Sequence, residues 1–173
     1  MNNLTLIIPA KNESESLPVV LDSLKNLGIK TIISLKEDDL ATINSCKNKE
    51  NIEIFFQSGS GYGNSLREAI DSCETKYFCI FNADGSFEVN DLHKMYKTIQ
   101  SKDFVYTSRY EHGGGSEDDT IITLIGNKIF SKLGNILFSL NISDILYTYL
   151  MGKTDFFKKL NITSNDFRFC VEL

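Results

Sequence analysis

Short apolar, β-rich runs alternate with stretches of helical spacing through the first hundred residues, and this rhythm constrains the fold more than any other feature. The run "NLTLIIP" (3–9) is followed by "ESESLPVVLDSLKNL" (13–27), whose apolar positions 17, 20, 21, 24 and 27 lie on one helical face. Gly28 marks the stop of that helix. The runs "KTIISL" (30–35), "NIEIFFQ" (51–57), "KYFCIF" (76–81) and "DFVYTS" (103–108) read as further strands, with helical patterns over 37–47, 63–73 and 90–100 between them. Strand, helix, strand at this spacing predicts βαβ units, an α/β fold and a mostly parallel sheet. Right-handed crossovers then place helices on both faces.

The pattern changes after Ser108. "RYEHGGGSEDDT" reads as a mobile loop with three consecutive glycines. The segment 120–140 has apolar positions at 121, 122, 125, 129, 133, 136, 137 and 140, the mark of a helix about 30 Å long. Such a helix either packs in the core or lies near a membrane surface. No internal repeat or linker interrupts the chain, so one domain over 1–173 is expected. The ending "FRFCVEL" stops inside an ordered-looking pattern, so the chain is expected to be a fragment or a short version of something longer.

Composition narrows the class. A chain of 173 residues can bury a real core, and its net charge of −5 argues against a nucleic-acid footprint. No apolar run reaches the 18 residues of a spanning helix, and the start lacks the features of a signal peptide. Cys46, Cys73, Cys79 and Cys170 form no CxxC pair, so free thiols in a reducing cytoplasm are expected. With His93 and His112 as the sole histidines, few imidazole mechanisms are open.

In an open parallel sheet, ligands bind beyond the carboxyl ends of the strands. The residues there are Pro9, Ala10, Lys11, Asn12 and Glu13 after the first strand, and Gly59, Ser60, Gly61, Tyr62 and Gly63 after the third. Asn82 to Ser86 follow the fourth strand, and Ser108, Arg109 and Tyr110 the fifth. A carboxylate for a divalent metal, cations and a glycine loop together suit a diphosphate-bearing ligand. Two features keep two readings each. "GSGYGN" is neither GxGxxG nor a P-loop; it is a plain strand-to-helix turn or a place where backbone approaches an anion at a helix N-terminus. Asp84 is a turn or cap residue, or a ligand for Mg2+ or Mn2+.

Taken in order, "LIIPAKNESESLPVVLDSL", "GSGYGNSLREAI", "YFCIFNADGSFEVNDL", "VYTSRYEHGGG", "GNKIFSKLGNILF", "ISDILYTYLMGKTDFFKKL" and "FRFCVEL" resemble the family 2 inverting glycosyltransferases of GT-A fold. Within them, the segments are most similar to the dolichol-phosphate (polyprenyl-phosphate) mannosyltransferases. The resemblance covers nearly the whole chain and implies a Rossmann-like three-layer sandwich. It implies that Pro9, Lys11 and Glu13 line a nucleotide pocket with the Gly61 loop, and that Ala83 and Asp84 meet ribose and metal. Asn82 would be a second metal ligand and Arg109 would face the sugar diphosphate. Asp84, Arg109 and Asp144 would be the catalytic set, with Asp144 and Glu172 on the acceptor side. The implied partners are a GDP- or UDP-sugar donor and a lipid-phosphate or glycan acceptor, with Mg2+ or Mn2+, at the cytoplasmic face of a membrane as a peripheral protein.

The chain departs from that pattern at three points. The first metal carboxylate is replaced by the amide Asn82, and the acids after the second strand are displaced to Glu37, Asp38 and Asp39. The family usually continues past the position of Glu172 with basic residues that close on the diphosphate, whereas the sequence ends at Leu173. Asn82 and the altered run after the second strand motivate the competing expectation, a weakened nucleotide-sugar-binding or regulatory protein of the same fold. A nucleotidyltransferase fits less well, because "PAKNES" after the first strand lacks its glycine- and Arg/Lys-rich signature.

Overall fold

A computed structural model describes residues 1–111, 114–115 and 120–173. The expected loop over 109–120 therefore lies partly outside the described residues. Six strands form one sheet: β1 Leu4–Pro9, β2 Lys30–Leu35, β3 Ile52–Phe56, β4 Tyr77–Ile80, β5 Phe104–Tyr106 and β6 Leu150–Lys153, in the order β3-β2-β1-β4-β6-β5. Strands β1 to β4 pair parallel, as the alternation predicts.

The strands read as continuous apolar runs because both sheet faces are covered. Side chains alternate between the faces. Leu4, Leu6 and Ile8 of β1 point to a core shared with Tyr77, Cys79 and Phe81. Helices α1 (Ser16–Leu24), α2 (Leu40–Cys46) and α4 (Asp91–Thr98) close that side through Leu17, Val20, Leu21, Ile43, Leu92 and Met95. Ile7, Ile32, Phe78 and Ile80 point the other way, against α3 (Tyr62–Asp71), α6 (Thr154–Phe157) and α7 (Phe169–Glu172). The result is helix, sheet, helix. A short 3-10 turn over Lys25–Leu27 follows α1 and ends on Gly28 at φ 60°, a left-handed position that suits glycine.

Strand β6 departs from the simple alternation. It runs antiparallel to both neighbours and separates β5 from β4. Four residues with a central glycine carry almost no strand signal of their own. The slot exists because Gly152 pairs with Phe78 on one side and Phe104 on the other, where a Cβ would come within 2.8 Å of both rings.

The long helix α5, Ile121–Phe138, forms where its spacing predicts, but its apolar stripe faces outward. Ile122, Ile125, Ile129, Leu133, Ile136 and Leu137 are each about half exposed or more. The side turned to the body carries Asn127, Ser131, Gly134 and Asn135. Ordinary core packing of this stripe is thus not what the chain adopts. No helix among the described residues is long and apolar enough to cross a membrane.

Candidate active site

The site begins at the switch point of the sheet. β1 pairs with β2 on one side and β4 on the other, so its connection leaves a crevice beyond the carboxyl ends of β1 and β4. The Phe81 N–H still donates to Ile7 O at 2.9 Å, which brings Asn82, Ala83 and Asp84 out beside Pro9, Ala10 and Lys11.

The loop after β1 is pinned from three directions. Ala10 N–H donates to Ser34 O at 2.9 Å, and Asn12 N–H to Asp39 Oδ2 at 2.8 Å. Glu13 N–H donates to Thr42 Oγ1 at 2.9 Å, and its carboxylate accepts from the Ser16 hydroxyl. Asn12 adopts φ 59°, which asparagine tolerates better than most residues. Lys11 stays exposed. Asp39 caps α2 by accepting from Thr42 N–H at 3.2 Å while it holds Asn12. Burial pushes the Asp39 carboxyl up, yet the Asn12 N–H and the bonds from Thr42 outweigh it and hold the group below its ordinary value. One of the displaced acids after β2 is therefore a clamp on the β1 loop. The Asp39-x-x-Thr42 spacing was the available signal for this capping role.

After β4, Ser86 N–H donates to Asp84 Oδ1 at 2.9 Å across Gly85, which takes φ 83°. This is the turn reading of Asp84; capping of α4 does not occur, since its first flanking residue is Asn90 with no side-chain cap. The turn and the ligand reading are compatible, because the turn leaves the carboxylate exposed at the rim. Asn82 Nδ2 donates to Ser86 Oγ at 3.1 Å, so the amide oxygen is the end left to ligate a cation. Among the described residues no cluster of three or more His, Cys, Asp or Glu could hold a metal. One carboxylate and one amide oxygen suit a hard cation that arrives with diphosphate oxygens and keeps water, rather than an ion caged by protein.

Arg109 follows β5, and Asp144 precedes β6. Because β6 runs against its neighbours, the segment leading into it enters at the same rim. Arg109 Nε and Nη2 donate to Asp144 Oδ2 and Oδ1 at 2.8 and 3.0 Å, and the Arg109 N–H adds a bond at 3.3 Å. The Asp144 side chain is fully buried, while 18 % of the Arg109 side chain remains exposed. Two of the expected catalytic residues thus form one bidentate pair. The guanidinium also lies 5.0 Å from the Tyr147 ring centre, and Phe87 packs edge-on to Tyr147 at 5.2 Å. Phe87 stacks on Tyr149 at 4.5 Å, and Tyr149 OH donates to Glu88 O at 2.7 Å. This aromatic bridge ties the Asp84 turn to the Arg109 corner. Sequence reasoning missed it, since nothing local marks Tyr147 and Tyr149 as neighbours of Phe87.

The glycine loop serves a different neighbour. Gly61 takes φ 105°, and a Cβ on it would sit 2.1 Å from Asn165 O; one on Gly63 would sit 2.5 Å from Ser164 O. The close approach these glycines permit is made by the chain's own 164–166 backbone, which is the neighbour the structure gives to Gly61. Asn64 N–H donates to Asn165 O at 3.1 Å, and Tyr62 stacks on Phe167 at 4.8 Å. Glu172 holds this loop in place, accepting from Thr163 N–H and Ser164 N–H at 2.9 and 2.8 Å. Hydrogen bonds from the Ser164 side chain and from the Thr163 and Ser164 N–H groups pull its carboxyl down to about 2. Glu172 is a loop clamp in this structure.

The family profile of Glycosyl transferase family 2 matches residues 5–160, and the chain belongs to that family. The glycosyltransferase AglJ of Haloferax volcanii is 23 % identical over 170 residues, 94 % of this chain and 54 % of that protein. An uncharacterised glycosyltransferase of Mycobacterium tuberculosis is 26 % identical over 61 % of this chain and 48 % of its own length. The chain spans about half the length of the curated relatives it matches. Among solved structures, the glucosyl-3-phosphoglycerate synthase of Mycobacterium tuberculosis, in complex with Mn2+, UDP and glucosyl-3-phosphoglycerate, superposes with a TM-score of 0.75 at 11 % identity, over 98 % of this chain and 63 % of that one. The mannosyl-3-phosphoglycerate synthase of Rubrobacter xylanophilus gives 0.69 at 12 % identity, over 90 % and 54 %. These likenesses establish the GT-A architecture.

Proposed function

We propose that this chain transfers a sugar, with inversion, from a GDP- or UDP-sugar to a phosphate-bearing acceptor, a polyprenyl phosphate of the dolichol type held at the cytoplasmic face of a membrane. The observation that carries the reading is the convergence of the pinned Pro9–Glu13 loop, the Asp84 turn and the Arg109–Asp144 pair on one rim of the sheet. The Mn2+ and UDP in the structural neighbour support the donor class.

In this reading Pro9, Lys11, Glu13 and the buried Ala83 line the nucleotide pocket. Asp84, with the Asn82 amide oxygen, would hold a divalent cation, Mg2+ or Mn2+. Such a cation supplies positive charge to the leaving diphosphate. Arg109 stabilises the same developing charge, and a pre-oriented guanidinium does so at no reorganisation cost. Asp144 supplies that orientation as a positioning residue: both its oxygens accept from Arg109, and burial keeps it from the acceptor. With Asp144 and Glu172 committed to hydrogen bonds, an acceptor that is already ionised suits the site, since a phosphate needs no general base and a sugar hydroxyl does.

The amide Asn82, standing where the family has a first metal carboxylate, favours a second reading, a protein that binds nucleotide sugars without turning them over. A thermal-shift panel of GDP-, UDP- and CDP-sugars with and without Mn2+ tests binding, followed by release of nucleoside diphosphate in the presence of a lipid phosphate. The leading reading expects cation-dependent binding that Asp84→Ala removes, together with turnover. Binding without turnover supports the second reading. Undiminished cation-dependent binding by Asp84→Ala sinks the assignment of the cation to this turn.

A further inference from the structure

Helix α5 is turned inside out. Its outward face carries Ile122, Ile125, Ile129, Phe130, Leu133, Ile136 and Leu137, along a rod of about 27 Å. Its inward face carries the polar groups, and each is engaged. Asn127 Nδ2 donates to Tyr110 OH at 2.8 Å. Ser131 Oγ accepts from Ile145 N–H at 3.1 Å. Asn135 bonds both Ile142 N–H, at 3.0 Å, and Ile142 O, at 2.9 Å. Between them Gly134 lies so close to the body that a Cβ would meet Ile145 Cδ1 at 2.6 Å. These contacts prevent the helix from rolling to bury its apolar stripe in the core. A contiguous apolar face of this size on a soluble domain marks an interaction surface.

The charge on the helix says which surface. Residues 121–138 contain no Asp or Glu, and their two basic residues, Lys128 and Lys132, are exposed one turn apart along one flank of the stripe. In an antiparallel two-fold pairing of two copies these lysines sit near the midpoint and would face their own counterparts, a like-charge contact. Against an anionic bilayer the same lysines reach the headgroups while their stems cover apolar surface. No helix among the described residues, α5 included, is long and apolar enough to span. An apolar face, a polar face and lysines at the boundary suit a helix lying in the interface plane.

We propose that the outward face of α5 docks on an anionic lipid bilayer. Through Asn127 on Tyr110 and Ser131 on Ile145, docking sets the Arg109–Asp144 corner beside the headgroups. This second step rests on the glycosyltransferase reading above, in which the acceptor phosphate lies at headgroup level; the docking itself does not.

Flotation with vesicles of phosphatidylcholine alone, and of phosphatidylcholine mixed with phosphatidylglycerol, reads docking without activity. The wild type floats with the mixed vesicles. The double variant Ile129→Asp, Leu133→Asp loses binding by ~10-fold or more with an unchanged melting temperature, since both sites are exposed. Lys128→Glu with Lys132→Glu weakens binding to the mixed vesicles alone. A wild type that stays unbound on both vesicles overturns the proposal, and so does a double aspartate variant that floats equally. A wild-type dimer in light scattering that the aspartates split also overturns it, assigning the face to a second copy. Transfer assays separate the two layers: the aspartate variant loses transfer to vesicle-held lipid phosphate and keeps transfer to a short, soluble analogue. Were neither transfer seen with wild-type protein, the glycosyltransferase reading would fail while the flotation result stood.

Discussion

Helices α3 and α5 both carry a clear apolar stripe, and they wear it on opposite sides. In α3 the stripe is Leu66, Ala69 and Ile70, all without solvent exposure, packed under β1 and β2. In α5 the apolar stripe meets solvent and the helix is held by Asn127, Ser131 and Asn135. The difference teaches that a periodic pattern fixes a face but not its partner. Stability around α3 comes from apolar burial, whereas the α5 corner leans on polar and ionic contacts, above all Arg109–Asp144.

The sharpest way to break that contrast is Asp144→Ala. It strands a largely buried guanidinium, and loss of one partner of a buried pair costs about 3 kcal/mol or more. Urea unfolding at neutral pH measures it; a loss under about 1 kcal/mol would mean the corner does not depend on this pair. Next comes a matched pair of truncations. Leu66→Ala at the buried face of α3 should cost about 2–5 kcal/mol, and Leu133→Ala on α5 within about 0.5 kcal/mol. Equal costs would erase the difference between the helices.

The smallest effect sharpens the comparison at the end of the chain, where a carboxylate holds the loop packed on α3. The folded Glu172 carboxyl titrates at about 2, below its ordinary 4.5. A depressed carboxyl stabilises the fold above its unfolded value, and that share is lost as pH falls from about 4.5 toward 2. Glu172→Gln should therefore melt below the wild type at pH 7, with the gap closing as pH falls through that window. A gap that persists at the acid end would assign the effect to packing instead.

Much of the frame was legible. Strands β1 to β4 and the helices between them fall within a few residues of their patterns, because each carries its own periodicity and its own punctuation, such as Gly28. The rim residues Pro9 to Glu13 and Asn82 to Ser86 were legible for the same reason: they follow strands whose parallel pairing the alternation implies. What stayed hidden depended on distant partners. β6 is a strand because Phe78 and Phe104 flank Gly152. The partner of Gly61 stayed hidden because a glycine's need for close approach does not name what approaches; Asn165 lies 104 positions away in sequence (165 minus 61). The Phe87–Tyr147 bridge, the hold of Asp39 on Asn12 and the clamp at Glu172 are hidden likewise.

By itself the sequence determined the α/β alternation, the parallel sheet and the order of the rim loops, since these follow from local spacing and chain connectivity. Tertiary structure alone decided that Arg109 and Asp144 share one ion pair, that the glycine loop receives the chain's own backbone, and that α5 turns its apolar face outward. The physical reason is one of range. Periodicity is written over a few neighbouring residues, whereas the partner of a charge, a glycine or an apolar stripe is chosen by residues that folding brings in from elsewhere.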